Sequence, residues 1–151
     1  MTNLATAPIT KSLLLECDVE SAFRVFTAGI GSWWPTGTHS VHGADVERLV
    51  FEEREGGELY EVTRSGERAH WAWVTAWEPP SRLVLSWHVN PERASPTEVE
   101  VRFAPEGSGT RVELEHRHWE RLGAEAEDAC EGYETGWDPV LERYAAAARP
   151  R

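Results

Sequence analysis

The chain has one lysine, Lys11, one methionine, two cysteines and no apolar run near the length of a membrane span. Each shortage excludes something. Only 15 basic side chains face 26 acidic ones, for a net charge of −11. Functions built on neutralising phosphates or anionic lipid heads need clustered Lys and Arg, so nucleic acid and membrane surfaces are excluded as expected partners. Cys17 and Cys130 are too few and too isolated for a disulfide framework or a metal site, and they read as small buried apolar residues. The stretch from Met1 to Lys11 lacks the basic start and apolar core of a secretory signal. A cytoplasmic location is expected.

What is present is a chain of 151 residues, 40% hydrophobic and 27% charged, which fits one globular domain over residues 1–151. At this size roughly 68–70% of the unfolded surface can be buried without disulfide or metal support. Eight tryptophans stand out. Each is large and apolar yet carries an N–H that wants a partner when buried. Either the core is unusually aromatic or an apolar molecule is bound.

Periodicity divides the chain into elements. Ile9 to Glu16 reads as a strand; Asp18 is a good helix cap, followed by Val19, Ala22, Phe23, Phe26 and Ile30 at three- and four-residue spacing. Gly29 and Gly31 end that helix before an aromatic corner of Trp33, Trp34 and Pro35, and a polar loop with His39 and His42 runs from Thr36 to Ala44. Six strands are then predicted: Asp45 to Glu52, Glu58 to Arg64, Ala69 to Trp77, Arg82 to Asn90, Thr97 to Ala104 and Thr110 to Trp119. Short turn-like breaks between them imply an antiparallel meander. Leu83, Leu85, Trp87 and Val89 share one face, as do Val99, Val101 and Phe103, and likewise Val112, Leu114, His116 and His118, with charged residues opposite. Such a sheet is wet on one side and covered on the other. In the Ala69 to Trp77 strand the tryptophans Trp71, Trp73 and Trp77 fall on one parity and Ala72, Val74 and Ala76 on the other, so its inner face is ambiguous. The cover is an amphipathic helix through Ala126, Cys130, Tyr133, Trp137, Val140, Leu141, Tyr144 and Ala148. Pro139 either bends it or follows Asp138 as the first residue of a second, shorter helix.

This order, with Trp33-Trp34-Pro35, Glu78 to Val84 followed by Trp87, Gly109 to Val112 leading to Leu114 and His116, and Gly136-Trp137 with Leu141, resembles the START-like (SRPBCC) superfamily. Within it, the chain is similar to the branch named for the activator of the heat-shock protein ninety ATPase. The resemblance implies an α+β helix-grip fold: a curved antiparallel sheet of six to seven strands wrapped round a long C-terminal helix, with one or two short helices after the first strand. It also implies a cavity between sheet and helix, used across the superfamily for apolar molecules. A wedge lined by aromatics with a few polar groups is a ligand site on physical grounds as well.

The residues expected to line it are Trp34, Tyr60, Trp73, Trp87, Phe103, His116, His118, Tyr133, Trp137 and Leu141. His116 and His118, two apart on a strand, would point to one face and could chelate a metal with Glu120, His88 or His70. The plainer reading, cavity histidines with hydrogen bonds, is preferred, and no metal and no cofactor are expected. His39 and His42 read as loop residues with local hydrogen bonds, with a gate or a general base near the cavity mouth as the alternative. No Ser-His-Asp triad and no motif-placed carboxylate pair is present. The favoured function is binding of a small apolar, aromatic or polyketide- or lipid-like molecule without covalent chemistry. The alternatives are a polyketide cyclase or hydrolase using His or Tyr as acid and base, and a chaperone-ATPase activator-like interaction protein. A homodimer is left open.

Overall fold

The computed structural model describes residues 7–87 and 97–150. His88, Val89 and the predicted end of a strand at Asn90 lie outside the described residues, as does the break from Pro91 to Pro96. Strand β1 (Ile9–Leu15) leads to helix α1 (Val19–Phe26), then to strands β2 (Val46–Phe51), β3 (Glu58–Thr63), β4 (Arg68–Glu78), β5 (Arg82–Trp87), β6 (Thr97–Glu106) and β7 (Gly109–Arg117). Helix α2 (Ala126–Ala147) closes the chain after a 3-10 segment, Trp119–Glu125. The sheet is antiparallel, in the order β1-β7-β6-β5-β4-β3-β2. Asp18 starts α1 by accepting the Ser21 N–H at 2.7 Å, which satisfies one of the donors a helix start leaves free.

The alternation of β5, β6 and β7 is realised: Leu83, Leu85 and Trp87, Val99, Val101 and Phe103, and Val112, Leu114 and His116 are all buried on the inner face. The outer face of these three strands carries charge that is tightly paired. Glu100 sits between Arg82, Arg102 and Arg117 at 2.5, 2.9 and 2.5 Å. Burial alone would push its carboxyl up, but hydrogen bonds from Arg117, Arg82 and Arg102 outweigh burial and hold it at about 2.

Two bulges settle β4. Leu59 pairs with Ala72 while Tyr60 pairs with His70, which leaves Trp71 as the extra residue; Val74 pairs with Leu85 while Ala76 pairs with Val84, which leaves Thr75. Each extra residue resets the parity of the strand. Trp71 therefore turns inward beside Ala72, and Trp77 turns inward against Phe23 at 5.0 Å, while Trp73 stays outside.

Helix α2 runs unbroken through Pro139, and Asp138 caps no second helix; its carboxylate meets Lys11 of β1 at 2.9 Å. The helix is pinned to α1 by the Tyr144 hydroxyl, which donates to the Ala22 carbonyl at 2.7 Å inside the core. Phe26, Trp33 and Tyr144 form the ring contacts around that point. Tyr144→Phe keeps the ring and removes the donor. It should lower unfolding free energy by about 1 kcal/mol in urea titration with an unchanged m-value, and no change would show that the bond adds nothing.

Candidate functional site

The interior between β5–β7 and the N-terminal half of α2 is built from rings. Trp34, at the corner after α1, lies 5.1 Å from Trp71, 6.1 Å from Trp87 and 5.9 Å from Trp137, centroid to centroid. Trp137, from α2, lies 5.9 Å from His116, which in turn stacks 4.2 Å from Trp119 and 4.8 Å from Tyr133. Such offset and edge-on contacts add to the area each ring buries.

Each of these indoles finds an acceptor. The N–H of Trp34 donates to the His39 carbonyl at 2.7 Å, that of Trp71 to Glu61 at 2.6 Å, and that of Trp87 to the Tyr133 hydroxyl at 3.0 Å. Trp119 donates to the His116 carbonyl and Trp137 to His116 Nδ1, both at 3.0 Å. Because Nδ1 accepts, the ring proton belongs on Nε2, which donates to the Thr97 hydroxyl at 2.7 Å. His116 is 0% exposed, and burial pushes its pKa down to about 3. At neutral pH this imidazole is uncharged and saturated, and it offers no cationic spot.

A second polar centre lies at the β3 end. Glu61 is fully buried and accepts four hydrogen bonds, from Val41 N–H at 2.7 Å, His42 N–H at 2.8 Å, His42 Nδ1 at 2.8 Å and the Trp71 indole. Burial raises its carboxyl pKa, but these donors outweigh burial and the net shift is downward. His42 also reaches Glu67 through Nε2 at 3.0 Å. The loop after the Trp corner is thereby fastened to β3 rather than held by local bonds alone. His39 does bond locally, to Thr38.

Of the residues expected to share a cavity, the structure brings together Trp34, Trp87, His116, Tyr133 and Trp137, with Leu141 buried farther along α2. Phe103 lies elsewhere in the core, against Phe23 and Phe26 of α1. Three further expectations are corrected. Tyr60 points outward because β3 turns Leu59 and Glu61 in, and the Arg68 guanidinium covers its ring at 3.8 Å. Trp73 is 45% exposed because of the bulge at Trp71, and packs on His70 at 4.8 Å. His118 does not share a face with His116, because β7 ends at Arg117 and His118 adopts φ 71°, a left-handed turn. Its ring faces Glu98 and Glu120 at 3.4 and 3.3 Å. That same turn carries Trp119 inward. Among the described residues no group of three His, Cys, Asp or Glu side chains is placed to hold a metal. Trp71, Trp119, Thr97 and Glu61 belong to the site and were not anticipated; an acidic residue on the inner parity of β3 was the available signal for Glu61.

A seven-stranded antiparallel sheet curled on a long C-terminal helix defines a helix-grip protein of the START-like class. The chain belongs to the family described as Activator of Hsp90 ATPase homolog 1-like protein, whose model matches residues 16–148. Among solved structures it is 33% identical to an anthrahydroquino-gamma-pyrone synthase, Txn09, solved as a complex, over 93% of this chain and 96% of that one, with a TM-score of 0.64. It is 26% identical to CalC, a self-sacrificing resistance protein from Micromonospora echinospora, over 95% of each chain, with a TM-score of 0.69. A protein from Mesorhizobium loti, 17% identical with a TM-score of 0.66 over 93% of this chain and 96% of that one, shares the fold. No curated protein matches the chain. No helix among the described residues is long and apolar enough to cross a membrane.

The buried imidazole makes stability depend on pH with a definite sign. Below its ordinary value of 6.5 the unfolded chain takes up a proton at His116 and the folded chain does not until about 3. This contribution is therefore complete above pH 6.5 and is lost as pH falls toward 3. Between about pH 7 and about pH 5 the wild type should lose about 2 kcal/mol that a His116→Gln variant does not lose; parallel pH profiles in urea titration would contradict this. Glu61→Gln exchanges acceptor for donor at the buried centre, and should cost about 3 kcal/mol and speed proteolysis within the Thr36 to Ala44 loop. Limited digestion checks it, and an unchanged cleavage rate would oppose the fastening role.

Proposed function

We propose that this protein binds a small, uncharged, planar aromatic molecule of the polyketide-derived kind in the wedge between β5–β7 and the N-terminal half of α2. The observation that carries the reading is the aromatic cluster of Trp34, Trp87, Trp137, Tyr133 and His116, buried except at Tyr133 and interspersed with the hydroxyls of Thr97 and Tyr133. Flat rings offer a fused-ring ligand stacking area, and the hydroxyls offer orienting hydrogen bonds. Tyr133 is half-buried, so the polar cluster reaches the surface beside it. The neutral state of His116 favours a ligand without a carboxylate anchor. The 33% likeness to a synthase whose name specifies a fused anthrahydroquino-pyrone supports the same ligand class.

A second reading, catalysis of a ring-forming step, is favoured by that likeness to a synthase. In it the His116 Nε2–H, released from Thr97, would donate to a substrate carbonyl, with Tyr133 as the second proton-bearing group. Loss of turnover with retained binding in His116→Gln supports this reading; binding with no turnover by the wild type supports the first.

Titration with 1,8-dihydroxyanthraquinone, followed by tryptophan fluorescence and melting temperature, tests binding. Saturable quenching is expected, with a stability gain of about 2.7 kcal/mol at a hundredfold excess over Kd. Tyr133→Phe should weaken binding about fivefold by removing the orienting hydroxyl. Quenching that never saturates, with an unmoved melting temperature in folded protein, would contradict the proposal.

A further inference from the structure

The outer face of β2–β4 holds an arrangement at odds with the chain's net charge of −11. In the strand register Arg48 of β2 and Arg68 of β4 are both direct partners of Val62 of β3, so two arginines flank one apolar residue. Arg64, two residues beyond Val62, lines the same groove, which has a volume of about 280 Å³ and is also lined by Val62, Tyr60 and one carboxylate residue, Glu47. The two arginines stand on the strands either side of β3, so positive charge gathers around Val62.

Elsewhere on this face compensation is close: Arg82, Arg102, Arg111 and Arg117 each hold a carboxylate at 2.5–2.9 Å. In the groove it is not. Among the described residues the nearest carboxylate oxygens are at 3.7 Å from Arg48 (Glu47) and 3.9 Å from Arg68 (Glu58), beyond hydrogen-bond range. The Arg64 side chain has no ion pair or hydrogen bond among the described residues. In a chain with 26 acidic side chains against 15 basic ones, three such arginines in one groove are an anomaly of placement.

We propose that this groove is a binding site for a compact phosphoryl anion, held by the forks of Arg48, Arg64 and Arg68. Guanidinium forks match phosphate oxygens in pairs. The Arg68 guanidinium rests on the Tyr60 ring at 3.8 Å, which holds it at the groove, and Val62 beside it suits the organic part of a phosphate ester, while free phosphate needs only the arginines. The overall charge still opposes an extended polyanion, since the cationic surface is one groove wide. The site is on the opposite face of the sheet from the aromatic wedge and does not depend on the reading given for that wedge.

The test is titration of the full-length protein at low ionic strength with phenyl phosphate and, separately, inorganic phosphate, followed by NMR of arginine Nε–H groups and backbone amides. Saturable shifts are expected at Arg48, Arg64 and Arg68, weakening as salt is added. Arg64→Gln should reduce affinity about tenfold with an unchanged melting temperature, since Arg64 has no side-chain partner among the described residues to lose. Tighter binding of phenyl phosphate supports an ester as the source, and equal binding supports free phosphate. Shifts that do not saturate, that are as large at Arg102 and Arg111, or that survive Arg64→Gln would overturn the proposal.

Discussion

The bond from the Trp137 indole to His116 Nδ1 joins the gripping helix to the sheet at the centre of the molecule. Burying an indole strips water from a group that can only donate, and burying an imidazole strips it from one donor and one acceptor. The two demands cancel here only if His116 is neutral with its proton on Nε2, and only if Thr97 stands ready to accept it. This one tautomer fixes where α2 sits relative to β6 and β7. Burial of the imidazole, which drives its pKa down, keeps the ring uncharged at neutral pH, and its bonds to Trp137 and Thr97 select the tautomer.

The same rule organises the other end of the interior. The Trp71 indole needs an acceptor, and Glu61 supplies it, but a buried carboxylate is tolerable only with several donors. Backbone and side chain of the Thr36 to Ala44 loop provide them. Aromatic bulk thus draws in polar groups, and the polar groups draw in a loop. The outcome is an interior that is apolar by area yet studded with hydroxyl, amide and imidazole groups at fixed places, which is what orienting a ring-bearing ligand requires.

Much of this was legible in the amino-acid order. Strict alternation in β5 to β7 showed their inner faces, and the three- and four-residue spacing from Ala126 onward showed the helix that covers them. Where period two failed, so did the reading. Alternation cannot show a bulge, so Trp73 was expected inside and Trp71 was not singled out; the pairing of β4 with β3 and β5 decides both. Nor can alternation show the backbone reversal at His118, which separates it from His116 and brings Trp119 under the sheet. Alternation marks Glu61 as inward but does not show its role, because its partners come from a loop about 20 residues earlier in the chain, a contact that only the folded chain makes. The charge sum misled in a similar way: a total of −11 says nothing about three arginines gathered in one groove.

The central claim is that the aromatic wedge, and not the exposed ring on the outer face, receives the ligand. The indole N–H resonances in an NMR titration with a fused-ring quinone address it directly, since each tryptophan reports its own surroundings. The account predicts saturable shifts of Trp34, Trp87 and Trp137 while Trp73 stays where it is; shifts confined to Trp73, or none at all, would contradict it.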